Sequence, residues 1–324
     1  EWSRGLGDVY KRQILDIGLT PNRPDCLGHV GIAREVGVLF GVKYAPRRAA
    51  GPGRTFPAGG SFEAGQPTTN LDPLWDGDAA TVETPELPAV SVEIDDGERC
   101  PRYGAALVSG VQVGPSPFWL RYRLHTLGLR ALSNIVDATN LILLEWGHPI
   151  HGFDLHRLRG SKVVVRLASE GETMATLDGI ERTFTADDLL ICDGEGPVAV
   201  AGVMGGLDSE IRDETRDVLI ECAYFEPRSI RRTSRRLGLH TDSSHRFERG
   251  VDPEAVPKVL ASAASLIAEL GAGAAASSAI DRVAKPYESR IVRLRPARAS
   301  QLLGTPVDRE ECLGILESLG CRLV

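Results

Sequence analysis

Short apolar runs between residues 90 and 223 predict a series of β-strands. Residues 90–94 alternate apolar and polar positions, which is typical of a strand with one buried face. A second strand follows residues 100–104 and ends near Val113, and residues 176–179 have the composition of a hairpin turn. The remaining predicted strands are 163–167, 189–192, 198–201 and 218–223.

Helical periods occur between and after these strands. Asp137 is expected to cap a short helix that Gly147 ends, and Asp252 to cap a longer one that Gly271 ends. Pro227 begins an arginine-rich helix. The predicted helices in this part of the chain are 117–127, 141–145, the segment from Pro227, and about 253–270. Strands with a few interspersed helices favour an α+β fold over repeated βαβ units.

The two ends of the chain have patterns of their own. Residues 14–18 predict a short strand, and Asp25 is expected to cap the helix that follows. Near the other end, residues 290–293 predict a strand. Asp308 and Glu311 then have capping-box spacing at the start of a helix.

Composition divides the chain further. Residues 1–13 lack an initiating methionine and a periodic pattern, so we interpret them as a non-native artefact. Residues 46–89 are rich in Pro, Gly, Ala and Thr and predict a linker. The predicted units are therefore 1–13, a remnant of a small domain at 14–45, the linker at 46–89, a central domain at 90–287, and the truncated start of a small helical domain at 288–324.

The overall composition is that of a folded protein outside the membrane. The 324 residues are 42% hydrophobic, and no apolar run approaches the roughly 18 residues that a membrane span requires. There is no secretory signal pattern, so a cytoplasmic protein is expected. The six cysteines are scattered without a C-x-x-C pair, which argues against a zinc site and, in a reducing compartment, against disulfides.

The net charge of −7 conceals a basic segment. Between residues 228 and 249 there are seven arginines but only two acidic residues, Asp242 and Glu248. Such a face can bind a polyanion, although a solvated helix face has the same pattern. The candidate RNA-binding residues are Arg231, Arg232, Arg235 and Arg236.

Histidines and an anion-binding helix end mark a first candidate site. His148, His151 and Asp154 recur every third residue, but Pro149 argues against one helical face, and no fourth metal ligand is present. A loop with one functional histidine is favoured, and a packed structural histidine remains an alternative. Thr139 and Asn140 are expected in the first turn of a helix, where free N–H groups bind anions; this pair joins the candidate site.

Two further segments carry candidate chemistry. The glycines of 202–206 allow close backbone approach, but they lack the G-x-G-x-x-G spacing of a nucleotide site. Glu221 lies within an apolar strand, where it is either a buried carboxylate that awaits a partner or a strand-end residue that faces water. A Ser243, His151 and Asp154 triad is a weaker alternative, because no G-x-S-x-G elbow is present.

Seven motifs, taken in order, resemble the β subunit of bacterial phenylalanyl-tRNA synthetase. They are 19–27 (LTPNRPDCL), 31–35 (GIARE), 100–103 (CPRY), 136–140 (VDATN), 147–154 (GHPIHGFD), 202–206 (GVMGG) and 238–253 (GLHTDSSHRFERGVDP). The last of these is the most specific. The resemblance covers nearly everything from Ile14 to Val324 apart from the linker.

The resemblance implies a mixed β-sheet editing domain flanked by pieces of small, winged-helix-like domains. This domain would hydrolyse tyrosine wrongly attached to tRNA(Phe), without a cofactor and without a metal site in this segment. Charging with ATP and Mg²⁺ would lie mainly on the partner α subunit of an α2β2 heterotetramer, with no role for DNA or a membrane. The alternative is a non-catalytic module that only docks tRNA.

The resemblance also implies roles for particular residues. The tyrosine-reading glutamate of the family falls on Glu221, and the catalytic positions fall on His151, Thr139 and Asn140. Ser243 stands where the family more often has alanine, so altered selectivity is expected. The other implied pocket residues are Arg130, Pro149, Gly202, Gly205 and Thr241.

Overall fold

The computed structural model describes residues 14–42, 49–50, 68–70, 75–76 and 89–324. The predicted artefact at 1–13 and most of the predicted linker at 46–89 lie outside the described residues. The α-helices are His29–Leu39 (α1), Phe118–Thr126 (α2), Asn134–Trp146 (α3), Pro227–Leu237 (α4), Asp242–Phe247 (α5), Val256–Gly271 (α6), Pro296–Leu303 (α7) and Arg309–Ser318 (α8).

The strands follow the same chain order. They are Ala49–Ala50 (β1), Thr68–Asn70 (β2), Trp75–Asp76 (β3), Ser91–Ile94 (β4), Arg102–Ser109 (β5), Ile150–Asp154 (β6), Lys162–Leu167 (β7), Thr173–Ala175 (β8), Glu181–Thr183 (β9), Leu189–Cys192 (β10), Pro197–Val200 (β11), Met204–Gly205 (β12), Val218–Tyr224 (β13) and Ala274–Val283 (β14). The predicted strands of the central domain and its hairpin at 176–179 are confirmed.

Two five-stranded sheets organise these strands. Sheet A has the order β12-β11-β10-β7-β4, in which only β4 and β7 pair in parallel among the described strands. Sheet B has the order β2-β14-β5-β13-β6 and is antiparallel throughout. The mixed sheets and separate helices confirm the predicted α+β class.

Sheet B lies between two hydrophobic cores. Strand β5 is buried along its whole length, and successive side chains of a strand point to opposite faces. Ala105 and Leu107 pack into a core shared with sheet A, whereas Ala106 and Val108 pack into a second core with α3 and α6. The molecule is therefore layered as sheet A, sheet B and helices in this region.

The predicted start of the helix near Asp137 is wrong. Helix α3 begins at Asn134 and is capped by Ser133, whose hydroxyl accepts from the Val136 N–H. The Asp137 carboxylate is fully buried and instead accepts hydrogen bonds from Leu132 N and the Ser116 hydroxyl. Because the helix begins at Asn134 and not at Asp137, residues 139 and 140 lie beyond its first turn.

Two predicted terminal strands are also wrong. Residues 14–18 and 290–293 form no strand and pair with no described segment. Without a partner strand, the apolar side chains of Ile291 and Val292 remain 81% and 82% exposed. The helix predicted from Asp25 begins at His29 instead, because a 3-10 turn at Pro24–Leu27 precedes it.

The helix predicted after Asp308 is confirmed, since the Asp308 carboxylate accepts from the Glu311 N–H. The long helix at 253–270 is confirmed as α6, which follows a 3-10 turn capped by Asp252. Among the described residues, no helix is both long and apolar enough to span a bilayer.

Candidate functional site

A cavity of about 280 Å³ lies between sheet A, sheet B and the start of α5. Its walls are mostly apolar, and four side chains bring polar groups to it. The apolar side chains of the wall include Leu177, Ile191, Val200, Val203 and Phe247, and the polar ones are His151, Glu221, Thr241 and Ser243. Pro149, Gly202 and Gly205 complete the set of predicted pocket residues that the fold brings together here.

Glu221 and His151 face each other across two strands. They are directly paired in the antiparallel register of β13 and β6, so their side chains project from the same face of sheet B. Glu221 is only 6% exposed and forms no side-chain hydrogen bond or ion pair with another described residue. Burial raises its pKa to about 8. Of the two interpretations of Glu221, the buried carboxyl is therefore confirmed, and the strand-end residue that faces water is wrong.

His151 is held as a neutral imidazole. Its ring packs edge-on against Phe153, with 4.6 Å between ring centroids. Burial lowers its pKa to about 4, so the ring is uncharged at neutral pH. Its Nε2 atom is buried and has no hydrogen-bond partner among the described residues. His151 therefore contributes an unsatisfied ring nitrogen to the wall of the cavity.

The glycine turn between β11 and β12 permits this close packing. A Cβ atom at Gly205 would lie 2.7 Å from Cε1 of His151, so a side chain there would displace the imidazole. Gly202 has a φ of +64°, and a Cβ atom there would lie 2.9 Å from the ring of Phe225. Gly202 lines the cavity, and its N–H hydrogen-bonds no other described residue.

Two hydroxyl groups attach α5 to this turn. The Thr241 hydroxyl donates to the Val203 carbonyl at 2.8 Å and accepts from the Ser244 N–H, as the cap of α5. The Ser243 hydroxyl donates to the Gly202 carbonyl at 3.0 Å. Ser243 therefore lines the cavity and also holds α5 against the turn at Gly202.

Three predicted residues do not line this cavity. Arg130 is exposed in the connection between α2 and α3. Thr139 and Asn140 lie within α3, and the Thr139 hydroxyl donates to the Val136 carbonyl at 2.7 Å. The prediction that both lie in the first helical turn is wrong, because α3 begins at Asn134.

The Ser243, His151 and Asp154 triad does not assemble. Because His151 and Asp154 are three residues apart on β6, their side chains project from opposite faces of the sheet. Asp154 instead accepts from the Thr215 hydroxyl at 2.7 Å. His148 is a packed histidine, with Nε2 at 3.0 Å from the Ala223 carbonyl.

Among the described residues, one group of side chains is close enough to share a metal ion: Asp25, Cys26 and Glu35. Arg23 forms ion pairs with both carboxylates and so supplies their positive partner. Asp25 and Cys26 belong to the 3-10 turn before α1 and Glu35 to α1 itself, so the group lies outside the set of residues that lines the cavity.

Several wall residues escaped the sequence analysis. Leu177 comes from the tip of the β8–β9 hairpin, where its N–H donates to the Gly205 carbonyl at 3.0 Å. Phe247 comes from the last turn of α5. An apolar side chain at a hairpin tip is the one signal that could have drawn attention to Leu177.

The family model of the B3/4 domain matches residues 99–272, more than half of the chain. The chain belongs to the B3/4 domain family. All residues that line the cavity lie within this B3/4 domain. The resemblance seen in the ordered motifs is thereby confirmed.

Relatives of this B3/4 chain carry the name phenylalanine–tRNA ligase beta subunit. One from Geobacter sulfurreducens is 44% identical over 309 residues, which cover 95% of this chain and 35% of that protein. One from Anaeromyxobacter dehalogenans is 47% identical over 307 residues, again 95% and 35%. The chain thus spans about a third of the length of these relatives. A solved N-terminal fragment of the phenylalanyl-tRNA synthetase beta subunit from Pyrococcus horikoshii aligns over 92% of this chain and 74% of its own, with a TM-score of 0.40 and 14% identity.

Proposed function

We propose that this chain is the editing module of a phenylalanine–tRNA ligase β subunit and hydrolyses tyrosine esterified to tRNA(Phe). The observation that carries the proposal is Glu221, a buried acid without a partner among the described residues, in a mostly apolar cavity. The cavity of about 280 Å³ is of a size for one amino-acid side chain and its ester.

The proposal explains how tyrosine would be selected. Apolar walls accept the rings of phenylalanine and tyrosine alike, which is why a charging site for phenylalanine needs a second site that sorts its products. In this cavity the phenol hydroxyl hydrogen-bonds Glu221, whereas phenylalanine leaves the buried carboxyl unpaired. An unpaired buried polar group costs about 1–3 kcal/mol, which corresponds to roughly a tenfold to hundredfold preference for tyrosine.

The hydrolytic step needs a positioned water and a stabilised oxyanion. Water attacks the ester carbonyl carbon, the bond to the terminal ribose oxygen breaks, and the proton of the water ends on that oxygen. The neutral His151 Nε2 accepts a hydrogen bond from the water and orients it, but its pKa of about 4 makes it a weak base. We assign the free Gly202 N–H to the oxyanion.

The remaining parts of the proposal concern the whole enzyme. Charging with ATP and Mg²⁺ is assigned to a partner α subunit in a cytoplasmic α2β2 assembly, and no editing step uses either cofactor. Thr139, Asn140 and Arg130 receive no step at the ester, because they do not line the cavity.

A second candidate function is tRNA docking without hydrolysis. The exposed arginines of α4 favour it, since they need no cavity to bind a polyanion. In that case Glu221 and His151 would have no effect on any reaction.

The test is release of tyrosine from tRNA(Phe) mischarged with tyrosine, by the full-length β subunit assembled with its partner. We expect release above the uncatalysed rate, and a loss of about tenfold or more in His151→Ala. The exposed His125→Ala in α2 is the matched control and should behave as wild type. Binding of the charged tRNA without release would instead establish the docking function.

A further inference from the structure

Helix α4 has one buried side and one strongly basic side. Its buried residues are Ser229, Ile230, Thr233 and Ser234. Its five arginines are all exposed or lie at the edge of the exposed side. Each arginine must therefore find a partner on the surface or remain available to one.

Two of the five arginines already have acidic partners. Arg236 forms an ion pair with the buried Asp188 of the segment before β10, and Arg232 lies 3.6 Å from Asp187. Arg236 thereby attaches the helix to the segment next to sheet A and is committed to the fold. The charge of Arg232 already faces the exposed Asp187 carboxylate.

The other three form a separate stripe, which we call the arginine stripe: Arg228, Arg231 and Arg235. All three are exposed, and their side chains form no hydrogen bond or ion pair with another described residue. Positions i, i+3 and i+7 share one helix face. At 1.5 Å per residue the stripe extends about 10 Å along the helix.

The stripe is rigidly connected to the cavity. The Ser234 hydroxyl and the Ser244 hydroxyl both donate to the Leu239 carbonyl, at 2.5 and 3.3 Å, which joins α4 to α5. On its inner side, α4 places Ile230 against the Gly202 turn: a Cβ atom on Gly202 would lie 3.0 Å from Ile230. A ligand on the stripe would therefore sit at a fixed distance from the cavity.

We propose that the arginine stripe binds consecutive phosphates of the RNA strand whose esterified end enters the cavity. The proposal rests on the proposed function for the identity of the RNA. Guanidinium groups bind phosphate through paired N–H donors, and three of them along about 10 Å of one helix face can contact neighbouring phosphates of one strand. The residues assigned are Arg228, Arg231 and Arg235, and Arg232 and Arg236 are excluded from the ligand role.

The experiment compares two triple variants of the full-length assembled enzyme. The stripe variant is Arg228→Gln, Arg231→Gln and Arg235→Gln. The control variant removes the same charge from exposed arginines of other elements: Arg121→Gln, Arg293→Gln and Arg309→Gln. Hydrolysis of Tyr-tRNA(Phe) and the Kd of uncharged tRNA(Phe) are measured across a series of salt concentrations.

For the stripe variant we expect KM and Kd to rise about tenfold or more with kcat unchanged. We also expect the slope of log Kd against log salt to fall by about two. A matched variant with three Arg→Lys changes should recover most of the slope, since it keeps the charge. The tyrosyl ester of adenosine, which has no phosphate, should be hydrolysed equally by all variants.

The proposal is overturned if the stripe variant matches the control variant in KM, Kd and salt slope. That result is also the one expected if the stripe serves an acidic protein partner. Absence of hydrolysis by the wild-type enzyme would defeat the proposed function alone, because the Kd of tRNA and its salt slope still decide the stripe.

Discussion

Glu221 and Asp188 are two buried carboxyl groups with opposite surroundings. Asp188 is 2% exposed and accepts hydrogen bonds from the Thr185 N–H, the hydroxyls of Thr185 and Thr233, and the Arg236 guanidinium. Glu221 is 6% exposed and has no such donor among the described residues. Both carboxyl groups are therefore buried, but only that of Asp188 accepts hydrogen bonds from other described residues.

The difference separates a structural acid from one that we propose to bind the substrate. A buried carboxylate with several donors is stabilised by the fold and fastens the elements that donate to it, here α4 and sheet A. A buried carboxyl without donors costs free energy, and the fold retains it where a ligand supplies the partner. This contrast predicts which property each substitution will change.

The largest effect is expected from removing each acid in turn. Asp188→Ala leaves Arg236 and Thr233 without their acceptor and should lower the free energy of unfolding by about 2–4 kcal/mol. Glu221→Ala removes an unsatisfied group and should not lower the free energy of unfolding, while it lowers the tyrosine-over-phenylalanine preference about tenfold to hundredfold. Chemical denaturation and hydrolysis of the two charged tRNAs are the measurements.

The proposed contrast between the two acids is wrong if Glu221→Ala loses stability and Asp188→Ala loses only the amino-acid preference. A strongly destabilised Glu221→Ala with unchanged preference would mean that this acid is structural. Activity is expressed per folded molecule, so that unfolding of Asp188→Ala does not imitate a catalytic defect.

The next largest effect concerns the neighbour that faces Glu221. In Gly205→Ala the new methyl group would overlap the His151 imidazole, which cannot move without disturbing Phe153. We expect hydrolysis to fall about tenfold or more, since a misplaced water-orienting group is costly. Gly114→Ala, where nothing lies within 4 Å of the new Cβ atom, is the matched control. Equal activity in both variants would exclude the proposed place of His151.

A smaller effect should appear in the pH dependence of stability. The pKa of Glu221 is raised from 4.5 to about 8, so the folded protein keeps a proton that the unfolded chain has lost between these values. Its contribution to stability is present at low pH and is lost as the pH rises toward about 8. Glu221→Gln should remove this slope, whereas the exposed Glu269→Gln should retain it. Parallel curves for wild type and Glu221→Gln would contradict the raised pKa.

His151 contributes a slope of the opposite sign at lower pH. Its pKa is lowered from 6.5 to about 4, so the unfolded chain binds the proton more readily between these values. Stability from this residue is lost as the pH falls. The Glu221 measurement is therefore clearest above about pH 6.5, and free energies of unfolding across that range separate the two groups.

The sequence predicts most of the strands around these acids, because their apolar runs are local patterns. It does not predict the start of α3, because Asp137 is buried and bonded to Ser116, 21 positions away in the sequence, instead of capping the helix. Glu221 is recognisable as an acid within an apolar strand. Whether that acid is satisfied depends on the whole surrounding fold, and a local pattern contains no such information.

Sequence motifs predicted some of the residues that line the candidate site but not its geometry. The pairing of Glu221 with His151 joins strands 70 positions apart, and only the register of β6 on β13 brings them together. The resemblance to known β subunits implied roles for both residues without placing them in space. Leu177 reaches the cavity from a hairpin whose own pattern indicates only a turn, so long-range packing decides its role.

The smallest effect is expected at Ser243, which lines the same cavity as Glu221. In Ser243→Ala the Gly202 carbonyl loses its bond at 3.0 Å, but the Thr241 hydroxyl still fastens α5 to Val203. We expect a loss of about 0.5–1 kcal/mol in stability and a change of less than about threefold in hydrolysis. Thr241→Val, which removes both the fastening and the helix cap, should cost more in both measurements. If Ser243→Ala reduced hydrolysis as much as Thr241→Val, the serine would contact the substrate itself. The cavity would then contain a second polar side chain, beside Glu221, that recognises the amino acid.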